Sequence, residues 1–306
     1  MAYRFEAGES VRGGLRRIAR EELTSAAHGL RHASARARDG AVHEARKSVK
    51  KVRAILRLMR GELGAAYDTE NRRLRAISLR LAVYRDATVM IETLDQLAAK
   101  ADALSAPALA AIRRALVENK RRLERGTRIA GAMRRAAGTL EEASARIDRW
   151  RLVMDGPVAL APGMETAYRR GRAAMGAARR HSRPELCHEW RKRVKDHWYH
   201  VRLLETRWNP AAAAREKSLK HLETWLGEHH NLEVLAMRLA ARPIADRLPE
   251  QAKVCQGFIG DLQRELRHKA LGLGERLYAE SPAVFMKSVA QWWRPQRARR
   301  TLARSA

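Results

Sequence analysis

Residues 42–53 read Val42-His43-Glu44-Ala45-Arg46-Lys47-Ser48-Val49-Lys50-Lys51-Val52-Arg53. Wound at about 100° per residue, the segment sorts itself into two faces. Val42, Ala45, Val49, Val52, Leu56 and Met59 share one side. His43, Arg46, Lys47, Lys50, Arg53 and Arg57 crowd into a sector of about 120° on the other. The first face is a core stripe and the second is nearly pure cation. A solvated helix face ordinarily alternates signs at i,i+4, because like pairs there oppose the helix. Here only Glu44 lies nearby, so the stripe calls for an anion or a facing acid to compensate it, and its duplication favours the anion.

The pattern returns at Cys187-His188-Glu189-Trp190-Arg191-Lys192-Arg193-Val194-Lys195. His, Glu, Arg, Lys, Val and Lys coincide at a constant offset of 145, and Arg57-Leu58 then meets Arg202-Leu203. The same offset places Asp86 on Asn231, Val89 on Val234 and Leu94 on Leu239. One ungapped offset across separate segments indicates an internal duplication. The second stripe, His188, Arg191, Lys192, Lys195 and Arg202, is less charged, because Trp198 and Tyr199 replace Arg53 and Ala54.

Outward from these stripes, the chain reads as amphipathic segments with few breakers. They run over 10–36, 40–60, 65–101 and 107–150, then 164–180, 184–208, 211–241 and 250–278. Asp39-Gly40, Gly61 and Gly64, Asn209-Pro210 and Pro249 separate them. No run alternates with period two, so strands are not needed. The densest Gly and Pro cluster, Asp155-Gly156-Pro157 to Pro162-Gly163, marks the boundary. The expectation is an all-α protein of two tandem four-helix bundles: 1–155 with the His43 motif and 163–293 with the His188 motif. A basic, disordered tail over 294–306 follows.

Composition narrows the function. The 306 residues carry 62 Lys and Arg against 34 Asp and Glu, a net charge of +28, and 45% are hydrophobic. That is enough apolar material for sizeable cores and excludes a disordered polycation. The excess is spread evenly, about +15 before residue 153 and about +13 after it. Such a field selects polyanions: nucleic acid, an anionic membrane or a phosphate polymer. No segment is long and apolar enough to span a membrane, and the first ten residues lack the apolar run of a secretory signal. Two cysteines, Cys187 and Cys255, fit a reducing cytoplasm.

The two His-centred motifs resemble those of the CHAD family, the conserved histidine α-helical domain. Tyr84-Arg85-Asp86-Ala87, Tyr168-Arg169-Arg170-Gly171-Arg172 and Leu226-Gly227-Glu228-His229-His230-Asn231 add to the likeness, which covers almost the whole chain as a stand-alone member. Asn231 stands where some members carry Asp. The resemblance implies two bundles related by a pseudo-twofold, with basic helix faces lining a shared groove or pore. It also implies binding of inorganic polyphosphate without catalysis; a further reading is a granule coat protein, which polyphosphate binding would recruit to a granule. Carried over by position, His43, Arg46, Lys47, Lys50, Arg53 and Arg57 would line the groove from one half. His188, Arg191, Lys192, Lys195 and Arg202 would line it from the other. Arg85, Tyr168, Arg169 and Arg172 would join from neighbouring helices, and Arg16 and Arg20 from the first.

Other chemistry finds little support. His43-Glu44 and His188-Glu189 begin like the zincin motif, but Lys47 and Lys192 occupy its second histidine position and would repel zinc. His197, His200, His229 and His230 lack an acidic or cysteine partner in register, so no metal site or cofactor is expected. Asp86 reads as the partner of a groove cation rather than a general base. Nonspecific binding of RNA or DNA is the alternative, since the same Lys and Arg faces accept phosphodiesters. Single-strand binders usually add aromatic platforms, and only the second stripe has aromatics.

Overall fold

A computed structural model of the chain describes residues 3–6, 8–100, 105–126, 129–204, 210–242 and 244–292. The expected tail, 294–306, lies outside the described residues. Among these the protein is all-α, with no strand. In the first half, α1 (Val11–His32) and α2 (Arg38–Leu58) precede the single turn α3 (Arg60–Leu63), followed by α4 (Ala65–Arg80), α5 (Ala82–Ala98), α6 (Ala106–Gly126) and α7 (Ile129–Ala145). The second half has α8 (Pro157–Arg180), α9 (Pro184–Leu203), α10 (Pro210–Ala240), the short α11 (Ile244–Arg247), α12 (Pro249–Leu277) and α13 (Pro282–Trp292).

The ends follow local chemistry. Ser10 caps α1 by accepting from the Gly13 amide at 3.0 Å, and Arg31 and His32 sit in its last turn, where the helix dipole favours cations. Helix α8 begins seven residues before the segment read from the sequence. Gly156, at φ 73°, turns the chain, and Pro157 opens the helix where its missing N–H costs nothing. Asp155 accepts from the Gly156 and Arg12 amides, tying this junction to α1. Pro162 is therefore carried inside α8 and does not stop it.

The duplication is visible in the helices, with one asymmetry. Helix α10 is continuous, whereas its counterpart, read as one segment over 65–101, bends at Leu81 into α4 and α5. No Pro or Gly marks the break. The two pieces serve different cores: α4 packs on α2 and α7, and α5 on α6 and α10. Buried apolar side chains form two clusters. The larger unites α1, α2, α4 and α7 with α8, α9, the first half of α10 and the end of α12. The smaller joins α5 and α6 to the second half of α10, α11 and the start of α12. Both cores thus draw on both halves of the chain. Where α8 crosses the end of α2, a Cβ on Gly163 would stand 2.1 Å from the Leu58 carbonyl oxygen, a distance that only glycine allows.

Candidate functional site

The cationic faces of α2 and α9 turn toward each other and, with α5 and α10, enclose a cavity of about 860 Å³. His43, Arg46, Lys47 and Lys50 reach it from α2, and Arg85, Asp86 and Val89 from α5. Arg191, Lys195, Trp198, Tyr199 and Arg202 come from α9; Glu216, Lys220, Glu223, His230, Asn231 and Val234 come from α10. Pairs at offset 145 meet in this one space: Arg46 with Arg191, Lys50 with Lys195, Arg85 with His230, Asp86 with Asn231 and Val89 with Val234. Eight Lys and Arg side chains face three carboxylates.

Neighbours fix these cations from behind. Arg46 donates to the Ser78 carbonyl at 2.7 Å and lies 3.8 Å from Asp86, which is thus a groove cation's partner. Arg85 is held by Glu92 in a two-pronged contact at 2.9 and 2.7 Å. Glu223, buried on α10, takes Lys195 at 2.6 Å, Lys220 at 3.1 Å and Arg191 at 3.7 Å. Burial alone would raise the Glu223 carboxyl, but Lys195 and the two neighbouring cations pull it down to about 2. Trp198 donates to Glu216 at 2.6 Å, while Arg202 and Lys220 lie over its ring at 5.6 and 4.7 Å.

Lys50 has no hydrogen bond or ion pair among the described residues. Burial, followed by Lys195, Arg191 and Arg46, lowers it to about 7. Burial also lowers Lys195, Arg191 and Arg46, with Arg191 and Lys220 adding to it at Lys195 and Arg85 at Arg46. The His188 and His230 rings lie 3.9 Å apart, and burial plus His188 and Arg191 push His230 down to about 3. His43 is lowered by burial and by Arg85. Without an anion, the groove holds more positive charge than its walls compensate.

Several residues expected at the groove lie elsewhere, each for a local reason. Lys192 is exposed and bound to Glu189, and His188 reaches the cavity only through His230. Arg53 donates to Asn71 at 2.9 Å, and Arg57 turns away to Asp196 at 2.6 Å, where with Arg169 it lines a different cavity. Tyr168 is a core residue: its ring stacks on Phe285 at 4.2 Å and its hydroxyl donates to the Glu280 carbonyl at 2.8 Å. Arg172 donates to the Tyr278 carbonyl at 3.1 Å. Arg16 binds the Trp150 carbonyl and Arg20 binds Asp148, both remote from the groove. His197 and His200 are buried, bonded to the Tyr278 hydroxyl at 3.1 Å and the Ala54 carbonyl at 2.9 Å. Among the described residues no cluster of His, Cys, Asp or Glu could hold a metal ion.

Sequence reasoning missed Lys220, Glu216 and Glu223. The repeat carried the signal for the first of them, since Lys220 falls on Arg75 at the same offset.

The family profile of the CHAD domain matches residues 17–240. The chain belongs to the CHAD family. CHAD domains are in general of the polyphosphate-binding type and are generally binding or structural domains. The CHAD domain of the plant Ricinus communis superposes with a TM-score of 0.65 at 15% identity, covering 92% of this chain and 96% of that one. PptA from Streptomyces chartreusis is also similar, with a TM-score of 0.52 at 17% identity, covering 90% and 98%. At such identities the likeness is one of fold. No curated protein sequence matches the chain. As in the sequence, no described helix of this CHAD protein is long and apolar enough to cross a membrane.

Proposed function

We propose that this CHAD protein binds long-chain inorganic polyphosphate in the groove between α2 and α9, without catalysis, and that binding brings it to polyphosphate granules in the cytoplasm. The observation that carries the reading is the convergence of both repeats on one space: Arg46 with Arg191, and Lys50 with Lys195, in a cavity of eight cations. A linear polyanion satisfies such a site because each phosphate accepts charge-assisted hydrogen bonds, bidentate from Arg and as a point charge from Lys. The lowered values of Lys50 and Lys195 support it: burial and then neighbouring cations disfavour their charged forms, and a bound anion favours them.

Nucleic acid competes for the same cations. The groove's aromatic wall favours the phosphate polymer, because Trp198 is buried and already engaged by Glu216, Arg202 and Lys220. The test is competition at physiological salt: labelled long-chain polyphosphate on the protein, challenged by single-stranded RNA or duplex DNA at equal phosphate concentration. Retention of polyphosphate, with affinity rising with chain length, supports the groove. Displacement by RNA or DNA makes it a general phosphate-binding face.

A further inference from the structure

On another face, the end of α2, the α3 turn and the first half of α8 enclose a second cavity of about 880 Å³. It shares no lining residue with the groove, and its chemistry differs. Leu58, Met59, Met154, Ala159, Pro162 and Ala167 give it an apolar floor. Contact between Gly163 and the Leu58 carbonyl fixes the two sides of that floor together. Arg60, Arg169 and Arg170 stand exposed around it, without a hydrogen bond or ion pair among the described residues. Arg60 lies over the Tyr67 ring at 4.8 Å, and the Asp68 carboxylate on the same wall is likewise exposed and unpaired.

We propose that this cavity binds a nucleoside phosphate. The unpaired guanidiniums of Arg169 and Arg170 suit a short run of phosphates. The apolar floor suits a base and sugar, and the Arg60 guanidinium on Tyr67 presents a planar cation to a base face. The Asp68 carboxylate can accept from a ligand's N–H donors, which nucleobases carry and polyphosphate lacks. A cavity of this size and mixed lining is typical of small-molecule sites. Long-chain polyphosphate would leave the floor unused and meet the carboxylates of Glu62, Asp68 and Asp196 in a much less positive setting than the groove.

The test is calorimetric titration of the full chain with ATP, and separately with tripolyphosphate, before and after saturation with long-chain polyphosphate. ATP should bind in both states and, once the groove is saturated, more tightly than tripolyphosphate. Arg169→Ala with Arg170→Ala should weaken ATP by about tenfold or more, as expected for losing charge-assisted contacts. These arginines are exposed, so an unchanged melting temperature establishes that the variant is folded. Lys50→Met with Lys195→Met should leave ATP binding in place, so the test does not depend on the groove's ligand. The proposal is overturned if ATP fails to bind at about 1 mM, a weak-affinity limit. It is equally overturned if tripolyphosphate binds the polyphosphate-saturated protein as tightly as ATP, or if groove variants or polyphosphate abolish ATP binding while the arginine variant does not.

Discussion

Polyphosphate binding should carry a proton with it, and Lys50 is where the proton goes. Lys50 faces Arg46 on its own helix and Lys195 and Arg191 on α9; from α10, Glu223 and His230 complete its surroundings. Burial and then these cations bring it to about 7, so in the empty groove about half the molecules carry a neutral Lys50 at pH 7. A bound polyanion supplies the missing negative charge and returns Lys50 toward its ordinary value. The sign follows: the bound state holds more protons, so affinity falls as pH rises from about 7 toward the ordinary lysine range, and levels off below 7. Complete restoration gives a loss of about fiftyfold between pH 7 and 9, and half restoration about twentyfold, or roughly 2 kcal/mol. The histidines at the groove lie below this window, because burial lowers His43, His188 and His230. Lys195, also lowered, adds to the slope in the same direction.

Two measurements read this effect. Affinity is titrated at constant salt from pH 6 to 9, and proton uptake is taken from calorimetry in buffers of different ionisation enthalpy. Uptake at pH 8 should be about 0.8–0.9 proton from Lys50. In Lys50→Met the slope should flatten and the remaining affinity be lower. Affinity independent of pH between 7 and 9, proton release, or a slope that survives in Lys50→Met would each refute the reasoning.

Lys50→Met should also stabilise the free protein at pH 7 by roughly 1–2 kcal/mol, because a crowded, half-buried cation is replaced by an apolar chain of similar length; denaturant unfolding without ligand checks this. Glu223→Gln should do the opposite, costing about 3 kcal/mol at pH 7 by leaving Lys195, Arg191 and Lys220 without their carboxylate. In the native protein that contribution is present above the ordinary Glu range and lost as pH falls through about 2, so the variant's deficit should shrink between pH 5 and 3. Lys192→Gln, which removes an exposed charge outside the cavity, should leave polyphosphate affinity within about twofold, whereas Lys195→Gln should weaken it by about tenfold or more in the same titration. Gly163→Ala should destabilise by roughly 1–3 kcal/mol through its collision with the Leu58 carbonyl. Gly257→Ala, on an open face of α12, should raise stability by about 0.5–1 kcal/mol; thermal unfolding separates the two.

Much of the groove was legible because its residues are periodic. His43, Arg46, Lys47 and Lys50 lie on one face of α2 by spacing alone, and the offset of 145 marks Arg191 and Lys195 as the counterparts of Arg46 and Lys50. The stripe's far end was not legible. Arg57 shares the face of Lys50 on a helical wheel, yet it lies about 10 Å further along the axis, where Asp196 of α9 captures it. A wheel discards axial position, and the partner that redirects Arg57 belongs to the other repeat. Tyr168 failed differently: a tyrosine among arginines reads as a ligand-facing group, but Phe285 and Glu280 on distant segments decide that it is core. Glu223 left no periodic trace, because an acid placed to hold three cations is defined by their convergence.

That convergence also explains why the two halves of the groove are unequally compensated. Lys195 has Glu223, but the duplicated position on α4 is Ser78, whose backbone carbonyl steadies Arg46 and offers no charge to Lys50. The first repeat therefore carries its central lysine uncompensated, while the second does not. A groove neutralised on both sides would fold more comfortably and bind a polyanion less tightly, because ligand and internal carboxylates would compete for the same cations. A groove uncompensated on both sides would place Lys50 and Lys195 face to face with nothing between them. With Glu223 on one side only, Lys195 remains paired, and Lys50 is left as the position whose charge the ligand completes.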